Sequence, residues 1–383
     1  MNTKAFESNE YVIGIYLDLC KAFDTVDQDI LLKKLNKYGV KENALQIIKS
    51  YLTERTQTVS IQGNKAKLRK IKIGVPQGSI LGPLLFIIYI NDLVHLDVGC
   101  QFFLYADDTA IFFKHKDPEV LQHMVNSALP KISGWLETNY LTLNASKTMY
   151  QVYTHHKDNI ALNININGIA IKQSKTIKYL GILIDSDMKF ASHINSITNI
   201  LSRNIGMIAR TRQFVDKKQL LQLYHSLVHP YINYCCLIWG STYENHLHKL
   251  LVLQKRTMRI IEGIFPPQSA NPIFKKYNIR KVKEIAHLQM LLIIHRYILN
   301  ELPPTVRHLI QPTAEATYNT RNRNNTRNRN HFQVQFSTKN YRLFTFSCLG
   351  PKLWNSIIST TFAVDDVPRS KQIFKKILEE SLC

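Results

Sequence analysis

An α+β fold is predicted by three features of the 383-residue sequence. Short β-rich apolar runs alternate with amphipathic helical stretches in the first half. Gly- and Asn-containing turns join several of these runs into hairpins. After about Asp187 the texture becomes mostly helical, which argues for a change of domain.

The elements follow in order. Residues 11–17 (YVIGIYL) read as a strand with Asp18 at its end. Helices are expected over 29–38 and 42–53, with Gly39 stopping the first. Residues 56–73 read as a hairpin turning near Gly63-Asn64. The rigid loop GVPQGS (74–79) then leads into a helix with Leu81, Leu84, Leu85, Ile88 and Leu93 expected on its buried side. Pro83 is tolerable there because it lies near the first turn. Residues 102–113 (FFLYADDTAIFF) read as two strands that both want burial, meeting at a tight turn on Asp107-Asp108. A helix is expected over 118–137, and alternating strands over 141–184. Residues 190–262 read as helical, with Leu220, Tyr224, Leu227 and Tyr231 spaced for one face. FPPQSANP (265–272) reads as a boundary, and TRNRNNTRNRN (320–330) as a low-complexity loop. The expected domains are therefore 1–187, 188–264 and 265–383.

Composition narrows the class. Hydrophobic residues make up 45% of the chain, enough to exclude a wholly disordered or collagen-like polymer. The longest apolar runs, 83–90 and 290–294, fall short of a membrane span, and the start lacks a signal-peptide stretch. A soluble protein of the nucleus or cytoplasm, not secreted, is expected. None of the six cysteines forms a C-x-x-C pair, so reduced thiols are expected rather than a zinc ribbon or disulfide framework. Against 28 Asp+Glu stand 49 Lys+Arg, a net charge of +21 that suits a polyanionic partner or simply a basic surface.

The acidic residues carry the chemistry. Asp107 and Asp108 lie side by side where a hairpin would prefer Asn-Gly, and adjacent like charges raise each other's pKa unless a cation neutralises them. Alone, such a pair is usually a solvated turn. Asp18 also ends a strand, so three carboxylates from two strands would form an oxygen-rich site suited to Mg²⁺. Two ions about 3.5–4 Å apart would activate a 3′-hydroxyl and stabilise a leaving pyrophosphate. The bland alternative for Asp18 is a carboxylate capping a turn.

Taken together, YLDLCKAFDTVD (16–27), GVPQGSILGPLLFIIYINDL (74–93) and FLYADDTAIF (103–112) resemble three successive blocks of a reverse transcriptase palm, in particular that of non-LTR (LINE-type, jockey-like) retrotransposons. LTLNASKT (141–148) and IKYLGILID (177–185) are similar to the next two blocks, and 224–240, 251–261 and 349–357 to the tail of such elements. The resemblance implies an α+β fold: a palm with an antiparallel sheet and packed helices over 1–187, a helical thumb over 188–264 and a basic C-terminal region. It implies an RNA-directed DNA polymerase that uses two Mg²⁺ ions, with Mn²⁺ as the alternative, together with an RNA template, a DNA primer and deoxynucleoside triphosphates. No membrane is implied, and nothing about oligomeric state.

The same resemblance assigns roles. Asp18, Asp107 and Asp108 match the catalytic metal-binding triad, with the main-chain carbonyl of Leu19 as an added ligand. Phe23 matches an aromatic gate that excludes the 2′-hydroxyl. Gln77 and Gly78 match the loop beneath the incoming nucleotide, and Tyr105 and Ala106 the residues before the acidic pair. Lys147 matches a lysine beside the leaving pyrophosphate, and Leu180 and Gly181 a primer grip. Lys249, Lys255, Arg256 and Arg259 share sides of one helix opposite Leu250 and Leu253, as in a thumb that holds phosphates, or as an ordinary solvated face. From Ala316 to Val364 no residue is acidic while seven are Lys or Arg, a pattern fit to follow single-stranded RNA or to form an inert loop. The blocks expected before Asp18 are largely missing, so an N-terminally truncated product lacking most of its fingers is expected. Two other functions stay open: a fragment that binds RNA or RNA–DNA duplex without synthesis, and an RNA-templated RNA polymerase, against which Phe23 and the VPQG loop argue.

Overall fold

The computed structural model describes residues 8, 10–154, 160–312, 332–334, 345–361, 367–368 and 370–381. The chain separates into two units, Met1–Met188 and Lys189–Cys383.

In the first unit, β1 (Tyr11–Leu17) is the centre of a five-stranded sheet in the order β11-β8-β1-β7-β6. β6 (Gln101–Tyr105), β7 (Asp108–His115) and β8 (Met149–Tyr153) run antiparallel to their neighbours. β11 (Lys172–Gln173) departs from the antiparallel expectation by joining β8 in parallel. It does so because the chain returns through the small hairpin of β9 (Asn165–Ile166) and β10 (Ile169–Ala170), a crossover rather than a tight turn. Alternation along β1 explains its near-continuous apolar sequence. Ile13, Ile15 and Leu17 face the main core, whereas Tyr16 packs with Ala110 and Ile177 in a second cluster.

Helices cover the core face. α1 (Gln28–Lys37) starts where the Asp27 carboxylate accepts the Ile30 N–H at 2.8 Å, and buries Leu31 and Leu35. Gly39 (φ +93°) follows its end. α2 spans Glu42–Leu52 and α3 Leu81–Ile90. α4 (Pro118–Thr138), capped by Asp117, contributes Leu121, Val125, Leu129, Ile132 and Leu136 at helical spacing. Between α2 and α3 lies a ribbon of four two-residue strands, β2 (Thr56–Gln57), β3 (Ser60–Ile61), β4 (Asn64–Lys65) and β5 (Arg69–Lys70). Its turn is Gln62-Gly63, both at positive φ, one residue before the expected position.

Two burial expectations need correction here. On α3, Leu81 and Leu84 are exposed, Ile88 is half-buried, and Gly82, Leu85, Phe86, Tyr89 and Ile90 are buried. The helix is apolar all round, so its pattern selects no face. The FFLY run is not buried as expected either. Phe103 and Tyr105 are exposed, because β6 is the free edge of the sheet.

The second unit is helical: α5 (Ala191–Thr211), α6 (Lys217–Leu227), α7 (His229–Asn233), α8 (Cys236–Trp239), α9 (Glu244–Glu262), α10 (Asn271–Lys276), α11 (Val282–Ile298), α12 (Pro304–Arg307), α13 (Phe346–Thr361) and α14 (Lys371–Ser381). Asp216 and Gln219 form a reciprocal capping box on α6. The expected stripe is broken after Tyr224: Leu227 is half-buried and Tyr231 exposed. A new helix starts at His229 with Pro230 in its first turn, which resets the phase, and Val228 and Ile232 are buried instead.

Residues 189–264 and 265–383 lie in this one unit. Buried Gln254 of α9 ties across 264/265, its amide donating to the Arg280 carbonyl at 2.6 Å and accepting the Val282 N–H at 3.2 Å. Among the described residues no helix is long and apolar enough to cross a membrane, and Cys20, Cys100, Cys235, Cys236 and Cys348 are free thiols.

Candidate active site

The register of β1 on β7 positions the acidic residues. Leu17 pairs with Thr109 as the last pair of the ladder, so Asp18 and Asp108 both lie at this rim of the sheet, near enough for the Asp18 charge to act on Asp108. The β6–β7 hairpin closes on the pair Tyr105–Asp108, which makes Ala106 and Asp107 the turn. The expectation that Asp107 and Asp108 both form the turn is thus off by one residue. Burial of Ile111 and Phe113 sets the register of β7, and Asp108 is its first paired residue. Ala106 sits at φ +52°, where glycine is favoured, so the backbone is strained directly before the two carboxylates.

Electrostatics reflect this crowding. Partial burial holds the Asp108 carboxyl above its ordinary value, and the charges of Asp107 and Asp18 add to the effect. Burial likewise pushes the Tyr179 hydroxyl up, with Asp108 contributing. Lys147 Nζ lies 4.0 Å from Asp18 Oδ2, with both side chains exposed, so the attraction is weak and screened. The Asp18 main chain is fixed by its carbonyl, which accepts the Asn144 N–H at 2.7 Å. Leu19 bridges Leu143 through bonds made by its neighbours, Asp18 O and Cys20 N, which leaves the Leu19 carbonyl outside the ladder.

These oxygens are the hard donor set that Mg²⁺ takes, and their mutual repulsion is what a divalent cation relieves. The side chains nevertheless stay apart: among the described residues no three of His, Cys, Asp or Glu converge closely enough to hold a metal ion.

A second group of candidates is built around a 3-10 turn, Ala22–Asp24. The Phe23 ring stacks on buried Phe86, centroids 4.7 Å apart at 29°. The Gly74–Ser79 loop docks on this turn: Val75 N–H donates to Phe23 O at 2.9 Å and Gly74 N–H to Val26 O at 2.7 Å. Gly74 is required, since a Cβ there would lie 2.8 Å from the Asp24 carbonyl oxygen at φ +84°. The Gln77 amide donates to Asp24 Oδ1 at 2.8 Å. Gly78, at φ +78°, faces open space. Asp24 carries no sequence signal beyond its residue type. Only the docked loop shows that it holds the Gln77 amide.

Leu180 and Gly181 form the two-residue turn between β12 (Thr176–Tyr179) and β13 (Ile182–Asp185), at φ +46° and +79°. Buried Gln151 on β8 anchors this hairpin by donating to Lys175 O at 2.7 Å and Ile184 O at 3.1 Å. Tyr179 packs edge-on against Tyr16 at 5.2 Å, and its hydroxyl feels Asp108, so the turn is held toward the acidic rim.

In the second unit, Lys249 and Arg256 of α9 are exposed and Lys255 and Arg259 half-buried; Lys249 and Arg256 each lie one turn from buried Leu253, so the four do not stand opposite that leucine as expected. Lys249 donates to Asn195 Oδ1 at 2.9 Å and Arg259 Nε to Gln268 O at 3.0 Å, whereas Arg256 is exposed. The Asn/Arg run 320–330 lies outside the described residues.

A mixed sheet with paired carboxylates on a hairpin, flanked by a third on the neighbouring strand, defines a polymerase-type palm. The family described as "Reverse transcriptase (RNA-dependent DNA polymerase)" matches residues 2–184, and this part of the chain belongs to it. The curated relatives it matches point to the LINE-like, non-LTR retrotransposon type. Over 273 residues the chain is 32% identical to the RNA-directed DNA polymerase from mobile element jockey of Drosophila melanogaster, covering 68% of this chain and 29% of that protein. It is 28% identical over 301 residues to the probable RNA-directed DNA polymerase from transposon BS of Drosophila melanogaster, covering 73% and 32%. The chain therefore spans about three tenths of the length of these curated relatives. Among solved structures, apo telomerase from Candida tropicalis overlaps 78% of this chain and 52% of its own, at 14% identity and a TM-score of 0.37.

Proposed function

We propose that this chain carries the palm and thumb of an RNA-directed DNA polymerase, a nucleotidyltransferase that adds deoxynucleotides to a primer 3′-end on an RNA template. The observation that carries this reading is that Asp18 and Asp108 follow the last β1–β7 pair at one sheet rim, with Asp107 in the adjoining turn.

Asp18, Asp107, Asp108 and the Leu19 carbonyl would hold two Mg²⁺ ions, or Mn²⁺. When bound, these supply the charge that activates the primer hydroxyl and stabilises pyrophosphate. The chain's own residues supply position. Phe23, backed by Phe86, presents a flat ring under the sugar. Asp24 engages one end of the Gln77 amide and leaves the other free for the nucleotide or template base. Lys147 places a cation beside Asp18 for the leaving group. The Leu180-Gly181 turn seats the primer end, where a misplacement of about 1 Å costs roughly 10²-fold in rate. The α9 cations grip the duplex phosphates. We place the protein with its nucleic-acid partners in the nucleus or cytoplasm.

Primer extension on RNA tests the reading. The wild-type chain is expected to add deoxynucleotides only when Mg²⁺ or Mn²⁺ is supplied, and Asp107→Ala to lose at least about 10²–10³-fold of that rate. Equal incorporation by both proteins overturns the assignment. Phe23→Ala is expected to admit ribonucleotides while deoxynucleotide addition persists. Unaltered sugar preference removes Phe23 from the gate. A preference for ribonucleotides in the wild type indicates RNA-templated RNA synthesis instead.

One observation favours a second reading, binding of RNA or RNA–DNA duplex without synthesis: the carboxylates do not converge as a ligand cluster. Salt-sensitive binding with no metal-dependent extension selects it.

A further inference from the structure

Between α2 and the Gly74 loop, the ribbon of β2 to β5 carries a cluster of positive charge of its own. Residues 55–72 contain Arg55, Lys65, Lys67, Arg69, Lys70 and Lys72 and no acidic residue. Every residue from 56 to 70 is exposed, and each strand of the ribbon pairs only within the ribbon. Among the described residues none of the six cations forms an ion pair. A two-stranded ribbon exposed on both sides is marginal in water and gains from a partner. Six uncompensated cations on a free ribbon repel one another, which a polyanion reverses.

The register spreads the charge over both faces. Lys70 lies opposite Thr56 and Arg69 opposite Gln57, so adjacent cations point to opposite sides. The chemistry is selective in a second way. Residues 55–72 contain no aromatic side chain, so nothing there stacks on bases. Such a surface holds phosphates and reads no sequence.

Topology specifies which strand it meets. The ribbon closes at Ile71 N–H to Arg55 O, 2.8 Å, and runs directly into Gly74 and Val75, which are bonded to the Phe23 turn. It therefore rises from the nucleotide side of the site, where the template is still unpaired. We propose that the ribbon binds the phosphodiester backbone of single-stranded RNA template ahead of synthesis; this placement rests on the polymerase reading.

The test measures binding of a short labelled single-stranded RNA of mixed sequence to the whole chain as salt is varied. One variant combines Lys65→Gln, Lys67→Gln, Arg69→Gln and Lys70→Gln. A control of equal charge change combines Lys33→Gln, Lys37→Gln, Lys116→Gln and Lys131→Gln, all exposed elsewhere in the same unit. The ribbon variant is expected to bind at least about tenfold more weakly at 0.1 M salt. Its log–log salt slope should fall by up to about 3, at roughly 0.7 per lost single-strand contact. The control should change neither by as much, and RNAs of different sequence should lose affinity alike. Equal affinities and slopes for the two variants overturn the proposal, as does an effect confined to one RNA sequence. Primer extension separates this result from the polymerase reading. Wild-type extension with an unaltered ribbon variant sinks the ribbon alone, whereas ribbon-dependent binding without extension sinks the polymerase reading and the template role with it, and leaves only the ribbon's binding of single-stranded RNA standing.

Discussion

Replacing Asp108 with Asn is expected to abolish primer extension while raising the thermal midpoint of the metal-free protein. The two effects share one cause. Partial burial and the charges of Asp107 and Asp18 disfavour the ionised Asp108 carboxyl. A carboxyl whose folded-state pKa lies above its unfolded value contributes most to stability below the unfolded value. That contribution is lost as pH rises through the folded-state value. At neutral pH the ionised group therefore strains the rim, and the neutral amide relieves the strain. The amide is also a poorer ligand and lacks the charge that a divalent cation needs, so activity should fall by at least about 10²–10³-fold. Added Mg²⁺ should stabilise the wild type more than the variant, because an ion bound only to the folded form shifts the unfolding equilibrium. Calorimetry with and without Mg²⁺ at neutral pH checks this. A variant less stable than the wild type in metal-free buffer would show that Asp108 holds the hairpin together rather than burdening it.

Phe86→Ala should give the largest loss of stability tied to the site. Phe86 is fully buried on α3 and carries the Phe23 ring on its face. Truncating such a residue removes its burial and leaves a cavity, costing about 3–5 kcal/mol. For a unit of this size, that lowers the unfolding midpoint by roughly 6–20 °C. Phe23 also loses its backing, so sugar discrimination should weaken even where the protein remains folded. Phe23→Ala, at a half-buried position, should disturb selectivity with much less loss of stability. A Phe86→Ala protein within about 1 kcal/mol of wild type would mean that the 3-10 turn is held by its backbone bonds to Gly74 and Val75 alone.

How far the fold was legible varies from element to element. α1, α2 and α4 lie within a residue or so of their expected spans, since caps, Gly39 and apolar spacing all act locally. The inward face of α3 was not legible, because Leu81-Gly-Pro-Leu-Leu-Phe-Ile-Ile-Tyr-Ile offers no polar side to point outward. The split at 264/265 was read from a Pro-rich loop. Buried Gln254 bonds straight across that loop, a long-range contact that composition does not encode.

By itself, the sequence determined the chemical inventory: three strand-end carboxylates, a glycine loop that tolerates positive φ, a YLG turn and a large positive charge. Residue types and their immediate neighbours set these features. Tertiary structure alone decided that Asp18 shares the sheet rim with Asp108, that Ala106 rather than Asp108 takes the turn, and that Asp24 holds Gln77. Those outcomes depend on strand register and loop docking. Burial of side chains distant in sequence selects both, and no local propensity can express that choice.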